Sequence, residues 1–214
     1  MTDIPLILRL RKQLHKDIAA AQDIIVREMY RFFDKAVLHG GTAIWRCYNG
    51  NRFSEDVDAY LRKDEGKLDS FFDALERNGL VVEKRKISKR SLFSVLKSGR
   101  TTVRFEAIFK TPLPRGFLKE YATSNGNMIS VYTLTPEELI KEKVQAYTER
   151  LKIRDLYDIF FLARYVKDKK DIFNDLEKLK MKFKRPADEK DLKVLIIDGI
   201  VPDSQNMIEY LRRF

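Results

Sequence analysis

Two aspartates separated by a single residue, Asp56 and Asp58, are the side chains whose spacing most directly suggests chemistry. The segment around them, SEDVDAYLR, alternates polar and apolar residues, a pattern typical of a β-strand. In a strand both carboxylates point to the same face, with Cα atoms about 6.5 to 7 Å apart. Such a pair can hold one or two divalent ions. The same spacing is also common on exposed edge strands without any function, so the pair alone does not establish a metal site.

A glycine pair precedes the aspartates at the end of a short apolar segment, AVLHGG. Glycines between a strand and a helix let backbone N–H groups approach a phosphate, and the N-terminus of a helix adds partial positive charge. A plain tight turn is the commoner role of Gly40 and Gly41. The following segment, TAIWRCY, is predicted to form a short helix with Thr42 as its N-cap. The order of strand, glycine pair, helix and Asp-x-Asp strand favours a phosphate site followed by a metal site.

A third acidic residue, Glu106, interrupts the strand-like segment TTVRFEAIF. Alternation places Val103, Phe105 and Ala107 on one face and Glu106 on the other. One interpretation is a salt bridge from Glu106 to Arg104 or Lys97. The other places Glu106 beside the two aspartates, where it orients or deprotonates an attacking hydroxyl.

The composition narrows the kind of metal and the cellular location. A chain of 214 residues with one cysteine and two histidines is unlikely to build a Cys/His zinc site, so oxygen ligands and Mg²⁺ or Mn²⁺ are expected. The absence of an internal disulfide suits a reducing compartment. No apolar run approaches the ~18 residues of a membrane span, and charges are interspersed from the N-terminus onward. We therefore expect a cytoplasmic protein without a membrane partner.

The net charge of +10 is concentrated in one part of the chain. Residues 84–119 contain eleven lysines and arginines and one acidic residue, Glu106, whereas residues 136–214 are nearly balanced. A basic region of this kind predicts a polyanionic partner such as nucleotide phosphates or RNA. The alternatives are a solvated hairpin face or the high charge content of a heat-adapted protein. The candidate nucleic-acid contacts are Arg85, Lys86, Lys89, Arg90, Lys97 and Arg100.

Periodicity predicts an α+β protein with two parts. Helical spacing covers residues 6–33 and 66–78, alternation predicts three strands between 80 and 109, and an Asn-Gly hairpin follows. From Thr135-Pro136 the pattern is helical, with the threonine as cap and proline at the first position. We expect an α/β domain over residues 1–135 and an α-helical domain over residues 136–214.

A second group of charged residues lies in the helical part. Lys143 and Arg150 fall on one helical face, and Asp155 and Asp158 are one turn apart on the next helix. One interpretation is a purely structural set of ion pairs across a helix hairpin. The other is that Lys143 compensates charge on a triphosphate leaving group.

Two stretches together resemble the signatures of a known family. GGTAIWRCYNGNRFSEDVDAYL is similar to the opening signature of the AbiEii/AbiGii (MenT-type) branch of the nucleotidyltransferase superfamily, with Arg52, Ser54, Asp56 and Asp58 matching position by position. KEKVQAYTERLKIRDLYDIFFL resembles the second signature, through Lys143, Ala146, Arg150, Arg154, Asp155 and Asp158. The two signatures span residues 38–162.

The resemblance implies a polymerase-β-like nucleotidyltransferase core with a mixed sheet, followed by a C-terminal helical bundle. It implies Mg²⁺- or Mn²⁺-dependent transfer of a nucleoside monophosphate from NTP to an acceptor hydroxyl, on tRNA, other RNA or a protein. It also suggests the toxin of a type IV-like toxin–antitoxin pair, with a cognate antitoxin as partner. The implied site residues are Asp56, Asp58 and Glu106 for metal, Gly40, Gly41, Thr42, Arg52 and Ser54 for the nucleotide, Lys143 for phosphate, and Asp158 as support.

Two functions from other classes stay open at this stage. A two-metal nuclease would use the same three acidic residues but needs neither the glycine pair nor Lys143. A non-catalytic RNA-binding module would depend on the basic region alone.

Overall fold

The computed structural model describes residues 5–214; residues 1–4, the start of the charged N-terminal segment, lie outside the described part. The chain forms two compact units. The first comprises the described residues up to Asn49 together with Phe53–Thr133, and the second comprises Gly50–Arg52 and Leu134–Phe214.

The first unit is built on a seven-stranded sheet. Its strands are β1 (Val37–His39), β2 (Val57–Leu61), β3 (Val81–Ile87), β4 (Ser91–Ser98), β5 (Thr101–Phe109), β6 (Phe117–Ala122) and β7 (Met128–Thr133). They lie in the order β3-β4-β5-β2-β1-β7-β6. Strand β2 pairs with β5 in parallel, as β1 does with β7, and the other pairs are antiparallel. The mixed sheet confirms the predicted α+β class.

Four helices accompany the sheet: α1 (Leu6–Arg9), α2 (Gln13–Phe32), α3 (Gly40–Cys47) and α4 (Glu65–Arg77). The apolar positions of α2 that the helical spacing predicted, including Ile18, Ile25 and Met29, are buried. The prediction of one continuous helix over residues 6–33 is wrong. The backbone is extended at Leu10, and the helix restarts at Gln13; the Ile7 N–H, in the first turn of α1, donates to Ser124 O (2.9 Å).

The second unit is helical. It contains α5 (Pro136–Arg150), α6 (Ile153–Ala163), α7 (Phe173–Met181), α8 (Leu192–Leu195), α9 (Ser204–Arg212) and two 3₁₀ turns, Lys169–Ile172 and Glu189–Asp191. The Thr135 hydroxyl accepts from the Glu138 N–H (3.2 Å), and the Glu138 carboxylate accepts from the Thr135 N–H (2.9 Å). This reciprocal capping box confirms the predicted helix start.

Residues 50–52 join the helical unit through backbone contacts. The Ile197 N–H donates to Asn51 O at 2.8 Å, and Arg52 forms a β-bridge with Ile196. Among residues 5–214, no helix has both the length and the apolar character needed to cross a membrane.

Candidate active site

The turn from β1 into α3 brings backbone directly against a carboxylate. Helix α3 begins at Gly40 with His39 at the N-cap position, so the prediction of Thr42 as its N-cap is wrong by three residues. Gly40 has φ +72°, and a Cβ at this position would overlap the Asp58 carboxylate. Both the left-handed backbone and the close approach therefore require glycine at this position. The start of α3 and the second aspartate of the Asp-x-Asp pair are in contact.

Two buried polar side chains hold the segment that carries the aspartates. The Thr42 hydroxyl donates to the backbone oxygen of Asp56, and the Gln22 amide donates to Ser54 O (2.8 Å) and to Thr42 Oγ1 (3.4 Å). The Thr42 hydroxyl thus positions the backbone of this segment. Gln22 was missed by the sequence analysis, although a glutamine on the apolar face of α2 was a visible signal.

Asp58 and Glu106 are direct neighbours in the sheet, because the parallel pairing of β2 with β5 sets them opposite each other. Val103, Phe105 and Ala107 are buried on the opposite face of β5, as the alternation predicted. Burial raises the pKa of Glu106, and the neighbouring Asp58 carboxylate raises it further, partly offset by Arg104. We call the side of the sheet that carries Asp58 and Glu106 the site face.

On its other side Asp58 pairs with His39 of β1. The His39 ring stacks on Tyr60, with centroids 4.1 Å apart, and the Lys110 ammonium lies 4.0 Å from the Tyr60 centroid. Neither aromatic residue was singled out from the sequence as part of the site. Tyr60 shares the face of Asp58 through alternation along β2, whereas the register of β1 on β2 places His39 beside the carboxylate.

Arg104 binds the first aspartate of the pair. Its Nε donates to Asp56 Oδ1 at 2.7 Å, and a second guanidinium nitrogen donates to Oδ2. From the sequence, Arg104 was predicted only as a partner of Glu106. The register explains the difference: Val57 lies opposite Phe105, so Asp56 and Arg104, one residue earlier on each chain, face each other.

Carboxylates such as those of Asp56, Asp58 and Glu106 are the ligands that a hard divalent cation prefers, but these three do not lie in one cluster. Within the described residues, no group of three or more His, Cys, Asp or Glu side chains is placed to hold a metal ion. Asp58 and Glu106 are adjacent, while Asp56 is turned to Arg104. Burial raises the Glu106 pKa and the Asp58 carboxylate raises it further; a bound cation would relieve the second effect. The donor set therefore fits Mg²⁺ or Mn²⁺ once Arg104 releases Asp56.

In the helical unit a chain of ion pairs connects five residues of the two signatures. Lys143 Nζ lies 2.8 Å from Asp158 Oδ2 and 3.5 Å from Asp155 Oδ1. Arg52 donates to both oxygens of Asp158 at 2.8 Å, and Arg150 donates to both oxygens of Asp155 at 2.7 Å. The carboxylates lie one turn apart on α6 and are buried.

Burial would raise the pKa of Asp158, but the charges of Arg52 and Lys143 outweigh it and lower that pKa. Asp158 is therefore held as a carboxylate between two cations. Arg52, predicted to bind nucleotide, is buried with its guanidinium bonded to Asp158. Lys143 is nearly buried and is oriented by two acidic residues.

The predicted nucleic-acid contacts divide between the two faces of the sheet. Arg85 pairs with Asp69 of α4 and lies 4.6 Å from the Phe72 ring centroid, on the face opposite the acidic residues. Lys86 is on the site face, because its partner Phe93 is in turn paired with Glu106. Lys97 is 3.6 Å from Glu83, and the remaining candidates, Lys89, Arg90 and Arg100, lie in the hairpin turns.

The glycine turn beside the paired carboxylates agrees with a family match. The model described as "Nucleotidyl transferase AbiEii toxin, Type IV TA system" matches residues 24–209. The chain belongs to the AbiEii nucleotidyltransferase family. This AbiEii member is therefore a nucleotidyltransferase, as both signatures suggested. No curated protein sequence matches it significantly.

Solved structures share the fold of this AbiEii member at low sequence identity. JHP933 from Helicobacter pylori is 19% identical, with a TM-score of 0.58 over 94% of this chain and 95% of its own. A second structure, that of a "putative nucleotidyltransferase from H. pylori", is 20% identical, with a TM-score of 0.61 over 94% of this chain and 98% of its own. The antibiotic-resistance factor ANT(2'')-Ia is 13% identical, with a TM-score of 0.51 over 77% and 91%. These likenesses show that the chain shares the fold of these proteins.

Proposed function

We propose that the protein transfers a nucleoside monophosphate from an NTP to a hydroxyl of RNA, such as the acceptor end of tRNA, at the site of Asp56, Asp58 and Glu106. The observation that carries the proposal is the contact between Gly40 and the Asp58 carboxylate, next to Glu106. It sets the N-terminus of α3, which favours phosphate, directly beside carboxylates that favour a divalent cation.

Each residue has a distinct task in this proposal. The backbone at Gly40 and Gly41, with Ser54, binds the triphosphate, while Asp56 and Asp58 hold the cation. The acceptor oxygen bonds to the α-phosphorus, the bond to the bridging oxygen breaks, and pyrophosphate leaves. Glu106 takes the hydroxyl proton, a role that its raised pKa favours. Mg²⁺ or Mn²⁺, when bound, supplies charge compensation for the triphosphate and lowers the pKa of the acceptor hydroxyl.

Lys143 is proposed to neutralise charge on the triphosphate, with Asp158 orienting its ammonium. The 2.8 Å contact between them supports the orienting role. The family description also supports a toxin with a cognate antitoxin, and we propose that it acts in the cytoplasm. A look at the neighbouring genes and co-purification with the product of an adjacent gene test that part.

The transfer is tested with purified protein, Mg²⁺, total RNA and each NTP labelled at the α-phosphorus. We expect label in RNA from the wild type and its loss in Asp58→Asn. Glu55→Gln is the matched control, because this neighbouring carboxylate is exposed. Label from the α- but not the γ-position identifies nucleotidyl rather than phosphoryl transfer.

Three results would count against the proposal. Labelled protein without labelled RNA would change the acceptor class. RNA cleavage without labelling would favour the two-metal nuclease. Failure to label either RNA or protein with any NTP would remove the transfer function altogether.

A further inference from the structure

The site face continues outward from Glu106 across the two neighbouring strands. In the register of β5, β4 and β3, Glu106 lies opposite Phe93, which lies opposite Lys86. The next row contains Arg104, Val95 and Lys84. Since strands are about 4.8 Å apart, Phe93 is about 5 Å and Lys86 about 10 Å from Glu106 at the backbone.

This outer part of the site face combines an aromatic ring with cations. Phe93 and Val95 are half-buried, whereas Lys84 and Lys86 are exposed. The Lys84 ammonium lies 5.5 Å from the centroid of the Phe93 ring. We call the set Lys84, Lys86, Phe93 and Val95 the outer platform. A planar apolar group and a phosphate can bind to it at the same time.

The two faces of β3 differ in how their charges are used. On the opposite face, Arg85 is paired with Asp69 and covers Phe72. On the site face, no ion pair within 4.0 Å involves Lys84 or Lys86 among the residues that the structure describes. Lys84 and Lys86 are thus available to an anionic ligand, whereas Arg85, between them in sequence, is held by its contacts with α4.

We propose that the outer platform binds the terminal nucleotides of a single-stranded RNA acceptor. A base stacks on Phe93, backbone phosphates pair with Lys84 and Lys86, and the terminal hydroxyl reaches Glu106. Sequence-tolerant binding of single strands uses this combination of aromatic rings and positive charge. A row of charge and ring that leads away from the acidic residues fits a linear polyanion. The inference rests on the proposed function and names the surface that selects its acceptor.

Binding is measured separately from transfer. The probe is a fluorescein-labelled ten-nucleotide oligoadenylate with a free terminal hydroxyl, titrated by anisotropy without NTP or divalent ion over a KCl series. The Lys84→Gln/Lys86→Gln variant should lower the slope of log affinity against log salt by about 1.4, because each lost phosphate contact in a single strand contributes about 0.7. Phe93→Leu should weaken binding about tenfold, and Phe93→Trp should restore it.

Arg85→Gln is the matched control, since it removes one charge from the same strand on the opposite face. Its affinity for the oligonucleotide should stay within about twofold of wild type. Circular dichroism first verifies that every variant is folded. Three results would overturn the inference. The wild type does not bind the oligonucleotide, the control loses as much affinity as the platform variants, or Phe93→Trp fails to restore binding.

The transfer assay distinguishes the two proposals. If the wild type labels RNA but the platform variants keep an unchanged KM for RNA, the surface assignment is wrong and the transfer proposal stands. If binding depends on the outer platform but no acceptor is labelled, the transfer proposal fails and the surface assignment stands.

Discussion

Replacing Asp158 by alanine removes the carboxylate that accepts two hydrogen bonds from Arg52 and lies 2.8 Å from the Lys143 ammonium. Asp158 is 1% exposed and Arg52 is 5% exposed, so neither cation gains full hydration in exchange. Removing one partner of a buried pair costs about 3 to 5 kcal/mol, because the remaining charge is left uncompensated. Lys143 keeps Asp155 at 3.5 Å, and Arg52 loses the acceptor of two hydrogen bonds. We expect a loss of about 4 kcal/mol in the free energy of unfolding of the helical unit.

The measurement is equilibrium unfolding in urea followed by far-ultraviolet circular dichroism, which reports the helices of both units. Trp45 is the single tryptophan and belongs to the first unit, so its fluorescence provides a separate signal. Glu177→Gln is the matched control, because its pair with Lys180 is partly exposed and should contribute less than about 1 kcal/mol. A loss within about 1 kcal/mol of the control in Asp158→Ala would refute the argument.

The pH dependence of the free energy of unfolding provides an independent check on Asp158. The pKa of Asp158 is lowered in the folded protein, so its ionisation contributes stability above the unfolded aspartate pKa of about 3.9. That contribution disappears as the pH falls through the lower folded pKa. The stability difference between wild type and Asp158→Asn should therefore shrink below about pH 4. A difference that grows toward acid would contradict this linkage.

Three further predictions concern the first unit. Arg104→Ala should lower the free energy of unfolding by less than about 1 kcal/mol, because its ion pair with Asp56 is partly exposed. The same variant should bind Mg²⁺ more tightly in calorimetry, because the Asp56 carboxylate is freed, and weaker binding would contradict this prediction. Gly40→Ala should lose transfer activity and lower the free energy of unfolding by about 2 to 4 kcal/mol, because the added Cβ clashes with Asp58 and the backbone is strained at positive φ. Gly99→Ala shares the positive φ without the clash and should cost only about 1 kcal/mol in the same urea titration. Glu106→Gln should be more stable than wild type at pH 7 with a chelator present, because a raised pKa in the folded protein makes ionisation of Glu106 destabilising. The gain should vanish as the pH falls to the ordinary pKa of 4.5. A variant that is less stable than wild type at pH 7 would refute this prediction.

The elements with strong local patterns were predicted well. Strand β5 spans the nine residues that alternate in TTVRFEAIF, and α5 starts at the predicted capping threonine. These succeed because burial of one strand face and capping of a helix depend on residues within a few positions of each other.

The errors occurred where distant segments compete with local preference. The helical spacing of residues 6–33 continues through Leu10, but the backbone is extended there, and the short helix before it is tied by the Ile7 N–H to Ser124 O. Thr42 has the chemistry of an N-cap, but its hydroxyl donates to the backbone oxygen of Asp56. A tertiary hydrogen bond thus uses the group that would otherwise cap a helix locally.

The sequence by itself determined which chemical groups are present, which strand face each acidic residue occupies and which family the chain resembles. These follow from residue type and short-range periodicity. Only the tertiary structure decided that Asp58 neighbours Glu106, that Arg104 binds Asp56 and that Arg52 is buried on Asp158. Each of these pairs joins segments at least 48 residues apart, and strand order and register, which no local pattern encodes, bring the pairs of the first unit together.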